Sequence, residues 1–70
     1  MHHFLIVIEK TEKKYSAYSP DLLGCVATGK TKKEVEQNMY PAIEFHLKGM
    51  EEDNMPIPKP TSIAEYIVIK

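Results

Sequence analysis

The sequence offers a few groups of residues whose types and spacing suit chemistry. Gly24-Cys-Val-Ala-Thr-Gly-Lys-Thr31 fits the phosphate-loop pattern G-x-x-x-x-G-K-[ST] letter for letter, a loop whose backbone N–H groups cradle a nucleotide's phosphates. The context opposes that use. Cys25 to Thr28 are of strand type themselves and follow a turn, and neither apolar strand runs into an aspartate that would organise magnesium. The chain is also too short for a doubly wound nucleotide-binding sheet.

Glu9, Asp21 and Glu34 are the carboxylates a metal-dependent nuclease would need to gather around ions about 4 Å apart. Each has a plainer role: Glu9 leaves a strand for a polar turn, Asp21 makes a turn, and Glu34 closes a helix cap. His2 and His3 are adjacent, so an extended chain points them to opposite sides, and His46 lacks an acid or histidine one helical turn away on the apolar stripe. No metal site and no cofactor are expected. Cys25 has no neighbouring histidine and reads as a small buried hydrophobe rather than a nucleophile. Lys30, Lys32 and Lys33 cluster at a helix start, where a cap already uses the free N–H groups an anion would want. Glu51, Glu52 and Asp53 form the sharpest acidic run, suited to a basic partner surface.

The elements that position these residues follow from local pattern. Phe4 to Ile8 is apolar at each position, as in a central strand covered on both faces. Glu9 to Lys14 is a polar hairpin connection, and Tyr15 to Ser19 alternates like a half-exposed antiparallel strand. Pro20 and Asp21 set a turn into a strand from Leu23 to Thr28, with Leu23, Cys25 and Ala27 on one face. Gly29 ends that strand. Thr31 and Glu34 are spaced as a capping box, the threonine oxygen accepting from the third helical N–H and the glutamate returning to the cap's own N–H.

A helix follows from Lys32 to about Lys48, with Val35, Met39, Ala42, Ile43 and Leu47 in one stripe. Pro41 predicts a kink, and Gly49 a left-handed stop. Glu51 to Thr61, stiffened by Pro56, Pro58 and Pro60, is a surface crossover. Ile63 to Ile69 then reads as a fourth strand beside and parallel to the first.

The run from Tyr18, through Pro20, Asp21, Gly24, Cys25, Gly29, Thr31 and Glu34 to Asn38, with Ala42-Ile43 and Ile57-Pro58 after it, resembles the HicB-like antitoxins of toxin–antitoxin pairs. The resemblance covers nearly the whole chain. It implies an α+β fold of β-β-β-α-β order, a truncated ribonuclease-H-like unit, and a single domain over residues 1–70. It also implies a role as an antitoxin that neutralises a small basic RNA-cleaving toxin of HicA-like type by covering it, without catalysis. Longer members carry a C-terminal DNA-binding domain that represses their own operon; here the sequence stops at Lys70, so no such domain and no autorepression are expected. Pro41 departs from the helix former expected at its position.

Composition narrows the remaining choices. With 70 residues and one cysteine, a lone core stabilises by only about 3 to 5 kcal/mol, so a homodimer or higher oligomer is expected. A net charge of −1 with interspersed signs gives no field that would draw the chain to nucleic acid or a membrane surface. The single cysteine and the lack of a signal peptide or long apolar run indicate the cytoplasm. Because both faces of the first and last strands are apolar while one helix is available, a second surface must cover one face. Glu51, Glu52, Asp53, Tyr66 and Val68 are the residues expected to meet a partner. The competing readings are a nuclease using Glu9, Asp21 and Glu34, and an orphan homo-oligomeric domain with an unidentified ligand.

Overall fold

A computed structural model describes residues 2–70. Strands β1 (Val7–Lys10), β2 (Tyr15–Tyr18) and β3 (Val26–Gly29) form an antiparallel sheet in the order β1-β2-β3, and helix α1 (Lys32–Glu52) follows. The hairpin between β1 and β2 is closed by Thr11, whose N–H donates to the Lys14 carbonyl at 2.8 Å while its hydroxyl accepts from the Lys14 N–H at 3.2 Å.

Register divides the sheet into unlike faces. Ile8, Ala17 and Ala27 lie side by side on the helix-facing side of the sheet, and the small side chains of the two alanines on β2 and β3 let the helix approach closely. Gly29 permits the same at the helix start: a Cβ on it would stand 2.6 Å from the Val35 backbone nitrogen. The core is Ala17, Leu22, Cys25, Val35 and Met39, with Phe4, Ile6, Ile8, Ile43 and Leu47 packed partly against it. The opposite face carries an apolar row, Val7, Tyr18 and Val26, beside a polar row, Glu9, Ser16 and Thr28.

Several expectations are corrected. Among the described residues no fourth strand pairs beside β1, so the β-β-β-α-β order and the ribonuclease-H-like unit it implied do not hold, while the α+β class does. Ile63, Ile67, Val68 and Ile69 are more than four-fifths exposed. The reason is placement: α1 packs on β3 and β2 rather than over β1, so the helix offers no lid under which a fourth strand would bury its apolar face. The expected central strand is therefore an edge. It begins at Val7 rather than Phe4, because its ladder starts opposite Tyr18 and the chain turns away at Ser19. Leu22, not Leu23, enters the core, since the turn persists to Gly24 and Leu23 is 94% exposed.

The helix runs unbroken through Pro41, which lies exposed, and through Gly49 to Glu52. The left-handed residue at its end is Asn54, with φ of 55°. The Met55 N–H reaches back to the Met50 carbonyl at 2.8 Å and the Asn54 N–H to Glu51 at 3.0 Å, the paired bonds of a Schellman stop. Met50 and Met55, the positions that such a stop pairs, both line one cleft.

Candidate functional site

The turn from Ser19 to Cys25 organises the surface of interest. Its backbone closes on itself through Leu22 N–H to Ser19 O and Cys25 N–H to Leu22 O, both 3.1 Å, and Gly24 takes a left-handed φ of 82°. The buried Ser19 hydroxyl donates to the Leu5 carbonyl at 2.9 Å, tying the turn to the start of the sheet. This geometry drives Leu22 inward and Leu23 outward.

Asp21 then fastens a distant segment. Its carboxylate accepts from the Ser62 hydroxyl at 3.0 Å, the Thr61 hydroxyl at 3.3 Å and the N–H groups of Thr61 and Ser62 at 3.4 Å. Partial burial works to raise its pKa, but these donors outweigh that and hold the carboxyl below its ordinary value. The chain beyond Glu52 is thereby strapped against the β2–β3 turn.

Between that turn and the second half of α1 lies a cleft of about 550 Å³, lined by Leu22, Leu23, Phe45, His46, Met50, Met55 and Pro58 with Asp21 and Asp53 at its polar side. Leu23 and Phe45 present nearly their whole side chains to solvent there. Glu51 and Glu52 are exposed in the last turn of α1 and Asp53 caps it, with no basic residue in that turn. Acids at a helix C-terminus oppose the helix dipole, so local stability does not explain them.

The remaining sequence candidates separate. Gly24 to Thr31 is no cradle: Val26 to Gly29 are laddered to β2, and the Thr31 hydroxyl accepts the Glu34 N–H at 3.0 Å. Glu34 returns to the Lys30 N–H at 3.2 Å, one residue earlier than the cap itself. Asn38 donates to the Thr28 carbonyl at 2.8 Å, holding α1 on β3. Glu9 lies exposed on β1 while Asp21 and Glu34 are engaged as described; among the described residues no group of three or more His, Cys, Asp or Glu side chains could hold a metal ion. Cys25 is buried, and burial pushes its thiol pKa up. No helix among the described residues is long and apolar enough to cross a membrane. Tyr18 and Pro20 are exposed beside the turn, and Tyr66 and Val68 lie on the uncovered segment past the strap.

Sequence reasoning missed Leu23 and Phe45 as surface residues, and Thr61 and Ser62 as partners of Asp21. Phe45 carried a readable signal, since a large aromatic falls there outside the helical stripe. Nothing in local spacing joins positions forty residues apart.

A family model described as the HicB-like antitoxin of bacterial toxin–antitoxin systems matches residues 4–69. An uncharacterised 14.9 kDa protein from the rep–hol intergenic region of Haemophilus phage HP1 is 42% identical over 62 residues, covering 89% of this chain and 47% of that protein. A UPF0150 protein of Helicobacter pylori strain J99 is 45% identical over 49 residues, covering 70% of this chain and 68% of that one. The chain thus spans about half the length of its phage relative. No solved structure matches.

Proposed function

Because this chain belongs to the HicB-like antitoxin family, we propose that it neutralises a small basic RNA-cleaving toxin of HicA-like type by occupying its surface. The observation that carries this reading is the apolar cleft with Leu23 and Phe45 exposed, beside acids that the helix end itself disfavours. An exposed apolar patch bordered by polar groups suits a protein partner. Glu51, Glu52 and Asp53 supply charge complementary to a toxin surface built to hold RNA, which speeds encounter and fixes orientation.

In this reading the protein acts in the cytoplasm, by sequestration and not by chemistry. Residues 1–70 work as one domain, with Tyr18, Pro20, Asp21, Gly24, Cys25, Gly29, Thr31, Glu34 and Asn38 building the turn and seating the helix. Direct binding to nucleic acid has no support in a chain of net charge −1.

The test is coexpression with the small basic reading frame adjacent to its gene, followed by copurification and an RNA-cleavage assay. The expected result is a stable complex and stoichiometric loss of cleavage, with the Leu23→Ala, Phe45→Ala double variant binding more than about thirtyfold more weakly, as for central contact residues. No complex with any such neighbour, or a complex indifferent to that variant, sinks the reading.

A further inference from the structure

Past its strap to Asp21, the chain carries Ile63, Tyr66, Ile67, Val68 and Ile69 with each side chain more than four-fifths exposed. The radius of gyration, 13.6 Å, exceeds the roughly 11 Å of a compact chain this long, as a projecting segment requires. Among the described residues β1 has a neighbour on one side alone, and its outer edge offers backbone N–H and C=O groups for pairing. An open sheet edge is a template for another strand. Beside it, a second cleft of about 550 Å³ lies between Phe4 and the helix residues Tyr40, Ile43 and Leu47. We propose that residues 63–69 are an exchange arm, which adds as a strand to the free β1 edge of a second copy of this chain and seats isoleucines in that cleft.

Length and chemistry both match. Seven extended residues reach about 23 Å, enough to run along β1 and the residues just before it, over Phe4 to Lys10 for an antiparallel arm or His2 to Ile8 for a parallel one. With Ile67 set opposite Ile6, a parallel arm places Ile69 by Ile8, Tyr66 by Leu5 and Val68 by Val7. An antiparallel arm places Ile69 by Phe4, Tyr66 by Val7 and Val68 by Leu5. In either direction the apolar residues from Tyr66 to Ile69 meet apolar ones, whereas Ile63 falls opposite His2 or Lys10 and Glu65 opposite Phe4 or Ile8, so Tyr66 to Ile69 carry the match. Ile67 and Ile69 then join the half-covered layer of Phe4, Ile6 and Ile8. Tyr66 and Val68 extend the outer row of Val7, Tyr18 and Val26, where the tyrosine hydroxyl keeps contact with water.

A second copy is the fitting occupant because each chain owns one arm and one open edge. Reciprocal exchange about a two-fold axis satisfies both arms and both edges and closes the assembly. The pairing lies between copies; within one copy the edge of β1 stays open. This inference does not rest on the toxin reading, which concerns the cleft at Leu23 and Phe45.

Sedimentation equilibrium on the full chain, without any toxin, tests it. The expected result is a dimer whose dissociation constant rises more than about thirtyfold in an Ile67→Asp, Ile69→Asp variant, with helical circular dichroism retained because both side chains are exposed in the single copy. A second variant, Ile6→Cys with Ile67→Cys, should oxidise to a covalent dimer, the native Cys25 being buried. A monomer at submillimolar concentration, a dimer indifferent to the aspartates, or a disulfide closed within one chain would each overturn the proposal. A monomer that still inhibits the toxin would sink arm exchange alone, whereas an arm-exchanged dimer without a toxin would sink the antitoxin reading alone.

Discussion

Asp21 joins the β2–β3 turn to Thr61 and Ser62 through one carboxylate that accepts from both hydroxyls and both backbone N–H groups. These bonds favour the charged form, so its pKa in the fold lies below the ordinary 3.8. For a depressed carboxyl the contribution to stability is whole at neutral pH and is lost as pH falls through the folded-state pKa. The strap should therefore hold across the physiological range and release only in acid. In NMR titrations the Thr61 and Ser62 amide resonances should move together with a midpoint below 3.8, and in Asp21→Asn that step should vanish. A midpoint above 3.8 would contradict the strap. Cys25 takes the opposite course, since burial raises its pKa and leaves the thiol protonated and unreactive at neutral pH.

At the scale of elements, the end of α1 is set by a competition that composition alone does not reveal. Gly49 was the expected left-handed residue, yet the helix passes it and stops at Asn54, where the Met55 N–H bonds back to the Met50 carbonyl. A glycine inside a helix costs about 1 kcal/mol relative to alanine, and the additional turn with its Schellman bonds offsets it. The extension carries Glu51 and Glu52 into the last turn. Replacing both with lysine should stabilise the helix by about 0.3 to 1 kcal/mol per site at low salt, read as a higher melting temperature by circular dichroism. The same change should weaken toxin binding. A variant both more stable and equally tight would show that the acids serve neither purpose.

At the scale of the molecule, five of the described residues form the buried apolar core, while the longest apolar run of the second half lies in water. So small a core leaves little reserve of stability, and association is the available source of more. If arms are exchanged, melting is coupled to dimer dissociation and follows mass action. The melting temperature should then rise by about 3 to 5 °C for each tenfold increase in protein concentration, and should be flat for the Ile67→Asp, Ile69→Asp variant. Scanning calorimetry over a hundredfold concentration range would decide between them.

The β2 strand, the β3 segment, the capped start of α1 at Thr31 and the family were legible locally, because each is written in neighbours a few residues apart: alternation, a turn-forming pair, a threonine three residues ahead of a glutamate. The folded chain settled the long-range relations. It placed α1 over β3 and β2 and away from β1, tied Asp21 to residues forty positions on, turned Leu23 out in favour of Leu22, and left Ile63 to Ile69 unpaired. Apolar character states that a segment needs cover; it does not state which surface will provide it, since that depends on how the helix settles on the sheet and on which edges remain open.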